Sequence, residues 1–260
     1  ADAAGGDLLA LSDALGVDAP RVHVDRGLGV FERASLPWTG PSVTDALLVR
    51  AGFDSPHFQL RTFRVWLLGQ VFEPMTRGRL RRGGWRVIQD GYPGWSVARS
   101  VENSPAQSRQ EELRVAWGLQ ALAASGISDD ALLARWPDVR RRVGDVVAQS
   151  LAQHVLSLVG KEQGDAAVRA LARGALDERR AFFGSFRANE DSLESLFVQH
   201  AGASRADVSR RLAALRDPLL AKHAEALATL APLDSLVVAP GPEDPNGLRA
   251  LRFSTGAGPG

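Results

Sequence analysis

The stretch that most constrains the fold runs over 56–100: PHFQLRTFRVWLLGQVFEPMTRGRLRRGGWRVIQDGYPGWSVARS. It joins an apolar helix candidate, an arginine-rich segment and a dense run of aromatics and glycines. Three of the six tryptophans (Trp66, Trp85 and Trp95) and the single tyrosine, Tyr92, fall inside it. Phe58, Phe63, Trp66, Leu67, Val71 and Phe72 lie close to an i, i+3/i+4, i+7 series, which predicts a helix over 57–72. Ser55 and Pro56 supply an N-cap and a first-turn proline. Pro74 is expected to end the run, because proline lacks the N–H and clashes with the preceding turn. Leu60, Val65 and Leu68 stand off the main stripe, so the helix is expected to be buried on most sides.

The rest of the 260-residue chain reads as support for this unit. Hydrophobic residues make up 45% and charged residues 23%, as in an ordinary globular protein. A net charge of +1 argues against a general polyanion binder such as a nucleic-acid protein. The chain has no cysteine, which excludes disulfides, a thiol nucleophile and thiolate metal sites. Arginine, alanine and leucine are abundant and lysine is rare, a composition associated with GC-rich bacterial genomes. No apolar run is long enough to predict a membrane span. No signal peptide is visible, although the chain starts ADAAGG without Met and an upstream leader that has been removed is compatible with that start; localisation stays open.

Read in order, the chain predicts a short helix over 7–15 ended by Gly16, then strands over 21–25 and from Val30–Phe31. Ser42 to Asp45 has capping-box spacing, so a helix is expected through Arg50. Beyond the central unit, Ser104–Pro105 opens a helix over 106–124 with Leu113, Ala116, Trp117 and Leu119 facing inward. Ser128 to Asp130 caps a short helix ending near Trp136–Pro137. Helices are expected over 138–159, stopped by Gly160; over 165–173, stopped by Gly174; over 191–200; and over 204–230, kinked at Pro218. Strands are expected over 235–238 and 248–253. The fold class is therefore α+β, mainly helical, with a small sheet from N-terminal and C-terminal strands. One domain spans 1–255: sheet and central helices over 20–103, a helical part over 104–230, and C-terminal strands over 231–255. Residues 256–260 are expected to be a disordered tail.

Chemistry-bearing motifs are scarce. The five histidines, His23, His57, His154, His200 and His223, include no i, i+4 pair that would put two imidazoles on one helix face, so no metal site is expected. No phosphate-binding loop, dinucleotide fingerprint or nucleophile elbow occurs. Arg77, Arg79, Arg81, Arg82 and Arg86 surround Trp85; the run reads first as a solvated loop and alternatively as an anion contact. Tyr92-Pro93-Gly94-Trp95 has the make-up of a turn whose rings line a ligand, and equally of core.

Together these pieces resemble a zinc peptidase of the gluzincin type with its chemistry erased. Such enzymes carry H-E-x-x-H on one helix and a glutamate ligand on the next. The best alignment lays Thr62-Phe63-Arg64-Val65-Trp66 over the first motif, and Asp90–Gly91 over the Glu–Gly pair of the second. Segments 146–158, 160–173 and 192–200 resemble the helical tail of peptidase-MA-like proteins. The resemblance implies a metallopeptidase-like helical domain. Thr62 and Trp66 stand in place of the histidines and Phe63 in place of the general base, so it also implies no bound zinc and no peptidase activity.

The expectation that follows is a non-catalytic pseudo-metallopeptidase that binds a peptide or protein segment, an accessory to a partner enzyme of peptide modification or secretion. Its candidate contacts are Phe31, Arg64, Arg77, Arg82, Trp85, Tyr92 and Trp95, and no cofactor is expected. One alternative is an enzyme of unrecognised type using Asp90, Glu73, His57 and Arg64. Another is an assembly protein self-associating through 204–230, where Leu212, Leu215, Leu219 and Leu220 recur.

Overall fold

The structure, a computed structural model, describes residues 2–16, 21–26, 31–35, 46–51, 60–75, 83–100, 104–177, 186–225, 236–243 and 249–255. This described part is mainly helical. Its helices are α1 (Asp2–Leu15), α2 (Leu60–Met75), α3 (Arg86–Ser100), α4 (Pro105–Ala123), α5 (Trp136–Val143), α6 (Asp145–Gln163), α7 (Asp165–Asp177), α8 (Phe186–Leu196), α9 (Arg205–Ala213) and α10 (Arg216–Lys222). A 3₁₀ turn over Gly83–Trp85 leads into α3, and a π turn over Phe197–Ala201 ends α8. Strands β1 (Arg21–Arg26), β2 (Phe31–Ser35) and β3 (Ala46–Ala51) pair in the order β1-β3-β2, with β3 parallel to β1 and antiparallel to β2. Strands β4 (Leu236–Glu243) and β5 (Arg249–Thr255) pair antiparallel.

Helix α6 is the hub, touching α3, α4, α5, α7 and α9. It buries Val147, Ala148, Leu151, Ala152, Val155, Leu156 and Val159; each larger side chain contributes about 1.5–3 kcal/mol by leaving water. Helix α3 lies against it at very short range. A Cβ placed on Gly91 would sit 2.5 Å from the Ala152 carbonyl oxygen, so only glycine lets the two backbones meet there. Helices α2 and α3 meet through Phe72 and Tyr92, whose rings stack at 5.0 Å. Charge holds α1 in place. Arg64 donates from Nε and Nη2 to both Asp7 carboxylate oxygens at 2.5 and 2.6 Å, while Arg173 donates to the Ala14 and Asp13 carbonyls at the helix's end.

Several expectations are met closely. Gly16 follows α1 with φ +67°. Ser104 caps α4 in a reciprocal capping box with Gln107, leaving few orphan donors at that end. Others are corrected. The capping-box reading at 42–45 foretold a helix through Arg50, yet residues 46–51 form β3. The segment ALLVRA is short and nearly all apolar, and between two strands it gains ladder hydrogen bonds on both edges. The turn expected at 92–95 is instead inside α3, with Pro93 in the helix and Tyr92, Pro93, Gly94 and Trp95 all buried. Pro74 does not stop α2, which runs to Met75.

The helix expected over 138–159 is two helices. Gly144 adopts φ +78°, a conformation open chiefly to glycine, and separates α5 from α6. Trp136–Pro137 opens α5 and does not end a preceding helix; residues 129–135 form turns. Gly160 and Gly174 lie inside α6 and α7, where they serve packing: a Cβ on Gly174 would meet Leu196 Cδ2 at 2.6 Å. The expected helix over 204–230 breaks after Ala213, and Pro218 falls within α10. Of its leucines, Leu212 is fully buried and Leu215 and Leu219 pack on the chain's own core. Trp117, expected inside, is 51% exposed. Ser204 caps α9 as expected, while the expected N-cap at Ser55–Pro56, the end of the 204–230 helix beyond residue 225 and the tail at 256–260 lie outside the described residues.

Candidate functional site

Four helices present polar side chains to one cleft of about 440 Å³. Helix α2 supplies Arg61, Thr62 and Val65, and α3 supplies Asp90 and Gly94. Helix α4 supplies Gln107, Gln110, Glu111 and Arg114, and α6 supplies Val146, Gln149, Ser150 and Gln153. The spacings are those of single helix faces: 107, 110/111 and 114 on α4, and 146, 149/150 and 153 on α6. The Ser104 capping box sets where α4 begins, and the Gly144 break sets where α6 begins; together they fix which faces line the cleft.

The two carboxylates of the cleft are both held by arginine. Asp90, 5% exposed, accepts from Arg140 Nη1 at 2.5 Å and from Trp136 Nε1 at 2.8 Å, with Arg86 Nε 3.7 Å away. Glu111 accepts from Arg61 Nη1 at 2.5 Å. Arg61 is only 13% exposed, and its Nε and Nη2 are buried without a hydrogen-bond partner among the described residues. Arg114 has no charged or hydrogen-bonded partner among the described residues either. Gln107 is engaged in the α4 cap through its Oε1, which accepts from the Ser104 N–H.

Of the positions aligned with the peptidase motifs, Thr62 and Asp90 come together on this cleft. Phe63 is buried in the core, and Trp66 stacks on it at 6.3 Å while remaining partly buried. Asp90 is tied into a cross-helix clamp of Trp136 and Arg140. The aromatic contacts proposed from sequence are corrected: Trp85, Tyr92 and Trp95 are 2%, 2% and 3% exposed, and they form core with no ring face open to a ligand. Burial pushes the Tyr92 hydroxyl up to about 12, which marks it as a neutral core group. Arg99 lies over the Trp95 ring at 5.4 Å. Arg64 is corrected likewise: its buried guanidinium is engaged at Nε and Nη2 by Asp7 and by Ser100 Oγ at 2.8 Å. Glu73 is partly buried in the last turn of α2. Arg77, Arg82 and His57, and the side chain of Phe31, lie outside the described residues.

The glutamines of the cleft were missed by sequence reasoning. Their signal was recurrence at helical spacing, 107 with 110 and 149 with 153, on helices whose faces could be placed only after their ends were known. A second polar surface joins α4 to α10. Glu112 receives Lys222 Nζ at 2.7 Å and lies 2.8 Å from His223 Nε2. Burial raises the Glu112 carboxyl, but the hydrogen bonds and charges of Lys222 and His223 outweigh it and leave the carboxyl below its ordinary value.

Among the described residues, no group of three His, Asp or Glu side chains could hold a metal ion, and no helix is long and apolar enough to cross a membrane. No family model, curated protein or solved structure matches the chain.

Proposed function

We propose that this protein is a non-catalytic binder of an extended peptide or protein segment, held in the cleft between α2, α3, α4 and α6. The observation that carries the reading is the cleft's chemistry. Gln110, Gln149 and Gln153 line it with carboxamides that both donate and accept, the pattern needed to pair with peptide N–H and C=O groups. Its carboxylates are turned to arginines, an arrangement that serves architecture and orientation more readily than proton transfer. The gluzincin resemblance adds support, because two positions of the erased motif, Thr62 and Asp90, border the same cleft. In this role the protein presents a peptide to a partner enzyme of peptide modification or secretion.

Two measurements test the proposal. A library of random fluorescent decapeptides should contain binders, and Gln110→Trp and Gln149→Trp, at exposed positions, should abolish that binding by filling the cleft. Binding that survives both substitutions refutes the site. Elemental analysis of protein purified without a metal-affinity tag should find less than about 0.1 zinc per chain; about one zinc per chain would overturn the non-catalytic reading.

A further inference from the structure

Arg61 and Arg64 stand one turn apart on α2, and they differ in one respect. Arg64 uses the Nε–Nη2 edge of its guanidinium to grip both oxygens of Asp7. On Arg61 the same edge, Nε with Nη2, is the part that has no partner among the described residues, while Nη1 is anchored by Glu111. That edge presents two parallel N–H donors at the spacing of a carboxylate, and it is the bidentate mode by which arginine recognises one. A buried, unpartnered pair of charged donors is costly, so the state with an acceptor in place is favoured. Arg61 also borders the cleft.

We infer that Arg61 is a carboxylate receptor within the cleft, so the bound segment is selected for a carboxylate, with Arg114 adding attraction from the facing helix. The inference rests on the cleft being a peptide site. The other charges on the cleft do not fill the role: Asp90 is matched by Arg140, and Glu111 occupies only the Nη1 end of Arg61. The carboxylate can be a peptide C-terminus or an acidic side chain, since both present the same two oxygens.

The test titrates the full chain with three pools of N-acetylated random decapeptides. One has free C-terminal carboxylates, one is C-terminally amidated, and one is amidated and made without Asp and Glu. The last pool should bind about 10- to 100-fold more weakly than the first, the loss of one charge-assisted bidentate contact. A loss already complete in the second pool assigns the C-terminus; a loss appearing only in the third assigns an acidic side chain. Arg61→Gln should remove the discrimination between pools. Glu111→Gln, which retains Arg61 and frees Nη1, should keep or increase it. Equal binding of all three pools by the native chain overturns the carboxylate assignment and leaves the cleft reading standing. Absence of binding by every pool removes the cleft reading itself.

Discussion

The ion pair between Asp7 and Arg64 offers the sharpest test of how the helices are held together. Its side chains are 7% and 6% exposed, and two short hydrogen bonds join them. Asp7 holds the Arg64 guanidinium pKa above its ordinary value, and arginine's ordinary value lies so far above neutral pH that Arg64 stays charged when Asp7 is lost. Asp7→Ala therefore leaves a buried cation with Ser100 Oγ as its remaining acceptor. Removing one partner of a buried pair costs about 3–5 kcal/mol, against a total stability of roughly 5–15 kcal/mol for a typical protein. In urea, at about 2–3 kcal/mol per molar, the unfolding midpoint should fall by about 1–2.5 M. Replacing both partners with apolar residues, Asp7→Leu with Arg64→Met, should cost far less than the sum of Asp7→Ala and Arg64→Ala, because no charge is left stranded. Hydrogen exchange should show the α1 amides losing protection first in Asp7→Ala, since the pair ties α1 to α2. A midpoint shift worth under about 1 kcal/mol, or additive costs around the cycle, would refute the claim that this pair governs α1 docking.

Three further outcomes follow from the packing and charges. Asp90→Ala should destabilise the fold by about 2–3 kcal/mol in thermal or chemical unfolding, because Trp136 Nε1 and Arg140 Nη1 lose their shared acceptor; unchanged stability would show that Asp90 is not a clamp. Gly91→Ala should destabilise by about 1–3 kcal/mol through forced separation of α3 from α6, whereas helix propensity alone predicts a gain of about 1 kcal/mol, so the sign of the change decides between them. The Glu112 carboxyl lies below its ordinary value in the folded chain, so its contribution is complete above about pH 4.5, its unperturbed value, and is lost as pH falls further. The native chain and Glu112→Gln should accordingly differ in stability at about pH 6, and the difference should shrink as pH falls below about 4.5; a constant difference would show that the Lys222 and His223 contacts carry no linkage.

Much of the architecture could be read from local signals. The Ser104–Pro105 helix start, the Gly16 stop and the apolar density of α2 each act within a few residues, and each holds in the structure. Glycine was the weak point, because one residue type answers two different demands. Gly144 breaks the chain's helix through its positive φ, while Gly91 sits inside a helix because the α6 backbone comes too close for a Cβ, and Gly174 because the Leu196 side chain fills the space beside it. The sequence around a glycine does not say which demand applies. The same difficulty turned Tyr92 to Trp95 into a supposed ligand loop, when Gly94 faces Gln153 and the rings fill the space between α2 and α3.

The site divides in the same way. Composition by itself ruled out thiol chemistry, and histidine spacing ruled out a paired-histidine metal helix, since both depend only on which residues exist and how far apart they stand in the chain. Tertiary structure decided which polar groups share a cleft. Arg61, Gln110 and Gln149 are far apart in sequence and meet because α2 and α6 both pack on α3 while α4 packs on α6. It also decided the fates of two arginines on one helix: a carboxylate 57 residues away occupies the Nε–Nη2 edge of Arg64, while no described group occupies that edge of Arg61. Pairing across such distances depends on helix ends and close-packed glycines, which is why local sequence carried the elements and only the fold carried the site.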